Sequence, residues 1–373
     1  MTDREAVALA LFGYRRRRIL AAVTRTLLGR PLPDVDTIPD PEPGESVVTW
    51  LCRCAARPDP AAETRTLLAT ADQLIVAAAQ RGQRAVGLAA PAYPAPLRQI
   101  PDPPPVLWVR GDPAALSAPR MVAVVGARAA TRGGLAVAAD LAKGLAAVGV
   151  TVVSGLARGV DGAAHKAALA QGGASVGVLG SGLDRFYPVE HAELAAALAQ
   201  NGAVVSEYPA HMPALPHHFP LRNRIISGLA AAVVVVEASE KSGSLITAMA
   251  ALEQGREVMA VPGPVGPGRH RGGHALLRDG ARLVEGADDV LAELGWAERP
   301  RSAGAPGASV PPELAAELGL EPGVEDFSSD EVAVATGRPI AAISARLAAM
   351  EIEGRIQRIG GGRFVATRNR VLT

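Results

Sequence analysis

At 373 residues the chain exceeds one ordinary domain, and its 49% hydrophobic content supplies material for two or three cores. A formal net charge of +1 excludes binding through a global excess of base, so any nucleic-acid surface must come from local clustering, mainly of arginine, since Lys143, Lys166 and Lys241 are the only lysines. Cys52 and Cys54 are too few and too close for a disulfide framework, the start Met-Thr-Asp-Arg-Glu lacks a signal pattern and the apolar runs are too short to span a bilayer, which together predict a cytoplasmic protein without membrane insertion.

Residues 1 to about 85 are rich in Ala, Leu and Arg at helical spacing, interrupted by a proline cluster from Pro31 to Pro43, and predict a small helical domain. The basic run Arg15 to Arg18, beside Phe12 and Tyr14, reads as a solvated helix face, with contact to a nucleic-acid backbone as the alternative. Pro91 to Gly111 is too proline-rich for a helix and reads as an ordered lead-in held down by Tyr93, Ile100, Leu107 and Trp108.

From Met121 to about Trp296 strands and helices alternate, which predicts an α/β domain built on a Rossmann-like parallel sheet. The strand candidates are Val122–Val125, Val150–Val153, Ser175–Leu179, Ala203–Ser206, Ala231–Val236, Val258–Val261 and Arg282–Val284. The first ends at Gly126, and a helix follows with Thr131 as its N-cap. That turn aims free N–H groups and the positive end of the helix dipole at one point, where a phosphate is the natural guest. A dinucleotide is disfavoured, because the G-x-G-x-x-G fingerprint needs glycines where Arg128 and Thr131 stand, and no acidic residue closes the next strand. No cofactor is expected. Arg128 instead sets a planar cation beside the anion site, which suits a phosphodiester.

In parallel sheets, loops at the carboxyl ends of the strands converge on one site. Here they carry Ser154-Gly155 and Arg158, Gly180 and Tyr187, Arg222-Asn223-Arg224, and Ser242-Gly243-Ser244, a set that predicts a basic, glycine-lined trough with Phe186 and Tyr187 as stacking faces. His165 reads as a packed histidine, and Asp161, Glu207 and Glu237 as structural partners of arginines or loop N–H groups. His217 and His218 lack a partner at metal-ligand spacing, so no metal site is expected.

Arg301 to Pro312 reads as a Pro/Gly/Ala/Ser linker. An N-cap at Ser328-Ser329-Asp330, a helix to Thr336, a second from Ile340 to Glu353 with Ile340, Ile343, Leu347 and Met350 inward, and strands Arg355–Ile359 and Arg363–Ala366 around Gly360 to Gly362 predict a winged helix. Its second helix offers mainly Arg338 and Arg346 among acids and alanines, which disfavours duplex reading and leaves a protein-contact or regulatory role as the alternative.

The motifs V-V-G-A-R-x-x-T, V-V-S-G-L-A-R-G-V-D-G-x-A-H, G-S-G-L-D-x-x-Y-P, S-E-Y-P, F-P-x-R-N-R-I-I, S-G-S-L-I-T-A and V-P-G, in this order, resemble the DNA-processing protein A (DprA/Smf) family over about residues 91 to 294. The resemblance implies an extended Rossmann domain over 86–296 that binds single-stranded DNA, dimerises and loads RecA recombinase during natural transformation. The flanking segments, read from the residues, are set as a small helical (SAM-like) domain over 1–85, a linker over 297–311 and a winged helix over 312–373. By that likeness Gly126, Arg128, Thr131, Ser154, Gly155, Arg158, Lys166, Gly180, Tyr187 and the Arg222-Asn223-Arg224 triplet line the DNA trough, with Ser242-Gly243-Ser244 at a second helix N-terminus. Ala127, Val189 and His191 depart from the family pattern. Leu245 to Gln254 is apolar nearly all round, so Ile246, Met249 and Leu252 are expected to bury against a second subunit. The expected protein is not an enzyme. The alternative is a related Rossmann hydrolase of nucleotide N-glycosidic bonds, but Met249, Ala250 and Ala251 stand where its glutamate is needed.

Overall fold

The computed structural model describes residues 1–13, 29, 41–266, 268–296, 310, 312–321, 324, 327–353, 355–359 and 363–366. The basic run Arg15 to Arg18, most of the linker and the turn Gly360 to Gly362 lie outside the described residues. Two compact units are present, Met1–Gly295 and Trp296–Thr373.

The first unit is built on a nine-stranded sheet. Its strands are β1 (Gln83–Gly87), β2 (Val106–Gly111), β3 (Met121–Gly126), β4 (Thr151–Ser154), β5 (Ser175–Leu179), β6 (Gly202–Ser206), β7 (Ala232–Val236), β8 (Glu257–Ala260) and β9 (Arg282–Leu283), in the order β1-β2-β6-β5-β4-β3-β7-β8-β9. The seven strands read from the sequence are all present, and they pair in parallel. The near-continuous Val and Ala runs of β3 and β7, at the centre of the sheet, are what a strand buried on both faces requires.

β1 and β2 were not expected, and both are antiparallel additions at the edge. The lead-in to Gly111 ends in β2, whose side chains alternate between two cores: Leu107 and Val109 face the one with Tyr93, Ile100 and Ile225, and Val106 and Trp108 the one with Val204 and Leu198. Ala6, Val7 and Ala10 of the first helix, Asp3–Gly13, share that second core, and the Asp3 carboxylate accepts from the Gly87 N–H at 2.8 Å. The expected domain boundary at 85/86 therefore falls inside β1, and the N-terminal helices complete a face of the sheet. Their apolar residues divide between a core of their own, with Leu9, Phe12, Trp50 and Leu51, and the sheet core, to which β2 contributes Val106 and Trp108.

The second unit has the three-stranded order β10 (Phe327–Ser328), β12 (Arg363–Ala366), β11 (Ile356–Ile359), with helices Pro312–Leu318, Ser329–Thr336 and Ile340–Ile352. Ser328 caps its helix through a reciprocal box with Glu331. Ile343, Leu347 and Met350 are buried with Phe327, Ile356 and Phe364 as expected, but Ile340 stays exposed because it opens the helix one turn short of that core. The helix Pro312–Leu318 was not anticipated, and its Glu317 pairs with Arg346 and Arg355, which ties up one of the two arginines offered for duplex reading.

Candidate nucleic-acid interface

From β3 the chain moves outward through β4, β5 and β6, then returns to place β7 on the other side of β3. Loops that diverge at such a reversal leave a crevice beyond the carboxyl ends of the two strands. A cavity of about 490 Å³ lies there, walled by Gly126 to Arg128 after β3, Glu237 and Ser239 after β7, Ser242 to Ser244, and Phe219, Arg222 and Asn223. Gly126 permits the close approach of the two strands, because a Cβ would stand 1.9 Å from the Val236 carbonyl oxygen.

Arg128 is exposed, and among the described residues it makes no ion pair. Its guanidinium lies over the Phe219 ring, 5.2 Å from the centroid. It borders the main cavity and two further clefts, one with Lys166, Gly159 and His191, the other with Gly155, Arg158 and Tyr187. Arg158 is also exposed but pairs with Glu190, and Tyr187 packs tilted against Phe219 at 5.6 Å.

The floor of the cavity holds a fixed charge. Arg222 is only 3% exposed, and its Nη1 donates to the Gly155 carbonyl at 2.7 Å and to the Val178 carbonyl. Burial brings its pKa down to about 10, an effect Asp161 opposes and Arg128 reinforces, so it remains a cation at neutral pH. Asp161 accepts from the Gly155 N–H at 3.0 Å, and burial pushes its carboxyl above the usual range despite the attraction of Arg222. Gly155 has no room for a side chain, since a Cβ would lie 2.7 Å from both Arg222 Nη2 and Asp161 Oδ2. Asn223 donates to the Gly243 carbonyl at 3.2 Å and so pins the turn Ser242 to Ser244, where the two serine hydroxyls lie 2.7 Å apart.

Four expected contacts are not on this surface. Ser154 is fully buried and donates to the Val124 carbonyl at 2.6 Å, locking β4 to β3. Gly180 is buried under Phe219, where its missing side chain makes room for the ring. Phe186 belongs to the core beside the N-terminal helices, with Arg110 over its ring. Arg224 turns away on the next helical position, to Glu207 and Asp102. A helix sends consecutive residues about 100° apart, so the triplet cannot present all three side chains to one trough.

The anion site at the helix Arg132–Ala147 is present but filled from within. The Thr131 N–H donates to both carboxylate oxygens of Glu237, at 3.1 and 2.9 Å, and the Thr131 hydroxyl donates to Oε2 at 2.7 Å. The expected ligand phosphate is displaced from this point by a carboxylate of the chain itself. Arg269, which nothing in the sequence singled out from its Gly/Pro-rich loop, reaches the Ala129 carbonyl at 3.0 Å and Glu237 Oε1 at 3.6 Å and lines the cavity. Phe219 was also missed as a site residue, although its place three residues before Arg222 puts both on one helix face. Among the described residues no cluster of His, Cys, Asp or Glu is arranged to hold a metal ion, and no helix is long and apolar enough to cross a membrane.

The family model described as DNA recombination-mediator protein A matches residues 84–295, and the DprA winged helix domain matches residues 298–362. The chain is similar to Protein Smf of Escherichia coli (strain K12), 43% identical over 281 residues that cover 72% of this chain and 74% of that protein. The X-ray structure of DNA processing protein A from Streptococcus pneumoniae superposes with a TM-score of 0.65 at 33% identity, over 79% of this chain and 98% of that one. A structure reported for the single-stranded DNA binding mode of DNA processing protein A from Helicobacter pylori has a TM-score of 0.50 at 30% identity, over 54% of this chain and 92% of that one. With the first model beginning at β1 and ending with the nine-stranded unit, and the second falling on the winged helix, the chain belongs to the DNA recombination-mediator protein A family.

Proposed function

We propose that this chain binds single-stranded DNA along the rim of the β3/β7 cavity and delivers it to RecA recombinase in the cytoplasm during natural transformation, as a binding protein and not an enzyme. The observation that carries the binding step is Arg128, a cation with no carboxylate partner among the described residues, at the wall shared by three clefts beyond the strand ends. With Lys166 in the neighbouring cleft and Arg269 held against the adjacent Ala129 carbonyl, it offers charge to a phosphate chain, while Tyr187 and Phe219 offer ring faces to bases. The solved relative from Helicobacter pylori, described by its single-stranded DNA binding mode, supports the same ligand. Delivery to RecA rests on the family likeness.

The rim also adjoins the face proposed for dimerisation. Ile246, Met249 and Leu252 are 46%, 55% and 54% exposed on the helix Gly243–Glu253, and Ile246 lines the cavity as well. A second copy on this face would extend the strand-binding surface.

Fluorescence anisotropy with labelled single-stranded and duplex oligonucleotides tests the reading. The expected result is tighter binding of the single strand, weakening as salt rises. Equal affinity for duplex, or steady release of ribose 5-phosphate from nucleoside monophosphates, overturns it.

A further inference from the structure

Glu237 stands in the position where a Rossmann-type sheet ordinarily meets a ligand phosphate: directly after β7, at the reversal point, against the N-terminus of the helix Arg132–Ala147. Three features show that the fold is built around its carboxylate. The residue is 2% exposed, and Thr131 gives it three hydrogen bonds, two from the N–H and one from the hydroxyl. Its backbone has φ +51°, a left-handed conformation that disfavours any residue with a Cβ and persists only where the surroundings hold it. Gly134, in the first turn of the helix, leaves the space the carboxylate fills, since a Cβ there would lie 2.2 Å from Glu237 Oε2.

We propose that Glu237 is a specificity-determining residue that acts as an internal substitute for a ligand phosphate. By occupying the helix N-terminus with its own negative charge, it makes the cavity reject the terminal phosphate of a mononucleotide, both sterically and by repulsion. A DNA strand is not excluded, because its phosphates meet the rim cations and need not enter this position. The inference rests on the DNA-binding reading, in that it explains why a sheet of this kind would bind a polymer in preference to a free nucleotide.

Calorimetric titrations of thymidine 5′-monophosphate and thymidine into the full chain test it, with Glu237→Gly as the variant. Glycine adopts φ +51° freely, so the substitution removes the carboxylate without opposing the backbone. The wild type is expected to bind the monophosphate no more tightly than thymidine. Glu237→Gly is expected to prefer the monophosphate by about tenfold, with inorganic phosphate competing, as a vacated helix N-terminus with a cation alongside predicts. A variant without that preference, or a wild type that already shows it, overturns the proposal. Should the variant not fold, the wild-type titration decides alone: equal affinity supports the proposal and preference for the monophosphate sinks it. A labelled oligonucleotide run in parallel separates the two readings, because failure of the wild type to bind the strand removes the DNA assignment whatever the monophosphate does.

Discussion

Arg224 and Glu207 form a bidentate pair, with Nη1 to Oε1 at 2.9 Å and Nη2 to Oε2 at 2.7 Å, in a setting where their side chains are only 13% and 9% exposed. Burial works against the arginine charge, but Glu207 and Asp102 prevail and hold its pKa above the ordinary value. Asp102 lies on the stretch that leads into β2, so the pair joins the edge of the sheet to the helix His218–Leu229. Arg224→Ala should therefore destabilise the fold by about 3–5 kcal/mol, because it removes a bidentate, opposite-charge partner from a largely buried carboxylate. Chemical denaturation read by tryptophan fluorescence measures this. The salt slope of strand binding by the remaining folded protein should not change.

Arg128→Ala should behave in the opposite way. Its main contact is the face of Phe219, so the melting temperature should stay near that of the wild type. Single-strand affinity should fall about tenfold for every sequence alike, the weight of one charge-assisted bond to a backbone that carries no base information. The slope of log K against log salt should flatten by about 0.7. A falling melting temperature with unchanged affinity would move the DNA site away from this loop.

His165 gives a pH prediction. Ser175 Oγ donates to the Val152 carbonyl at 2.8 Å, so it accepts from His165 Nδ1, 2.8 Å away, and fixes the neutral tautomer. Burial lowers the pKa to about 3 from 6.5, with the charge of His191 adding to the effect. Below pH 6.5 the unfolded chain takes up a proton that the folded chain refuses, so this contribution is complete above 6.5 and is lost as pH falls toward 3. The loss amounts to about 1.4 kcal/mol per pH unit. His165→Gln should be less stable at neutral pH but flatter across that window, which denaturation midpoints at a series of pH values would show.

The exposed stripe Ile246, Met249 and Leu252 should make the protein a dimer at tens of micromolar by light scattering, roughly the range expected of a specific apolar contact. Met249→Glu should give a monomer with an unchanged melting profile, because a charge at the centre of the stripe is tolerated by solvent but not by a dry interface. A monomeric wild type would remove the assembly.

Hydrophobic periodicity made the parallel strands from β3 to β8 legible because most are short, nearly continuous apolar runs, and this signal needs no knowledge of what packs against it. β1 and β2 were hidden for the converse reason. Their alternation is meaningful only once the helices from Asp3 to Ala79 and the edge of β6 are in place to cover the two faces. The Arg222-Asn223-Arg224 triplet shows the same limit on a smaller scale, since sequence adjacency suggested a common surface and helical geometry divided it.

What the sequence by itself determined is therefore the local chemistry: the turn after β3 with its N-cap Thr131, and the capped helix of the winged helix that opens at Ser328. Each depends on residues within a few positions of one another, and the short-range rules of backbone geometry suffice. Which charges face a ligand was decided only by tertiary structure. Thr131 and Glu237 are 106 positions apart, Arg269 and Ala129 are 140 apart, and Arg224 and Asp102 are 122 apart. A carboxylate or guanidinium is equally suited to a ligand or to a distant neighbour. The choice is made by the strand order, which brings the end of β7 against the end of β3 and lets Glu237 reach the helix terminus.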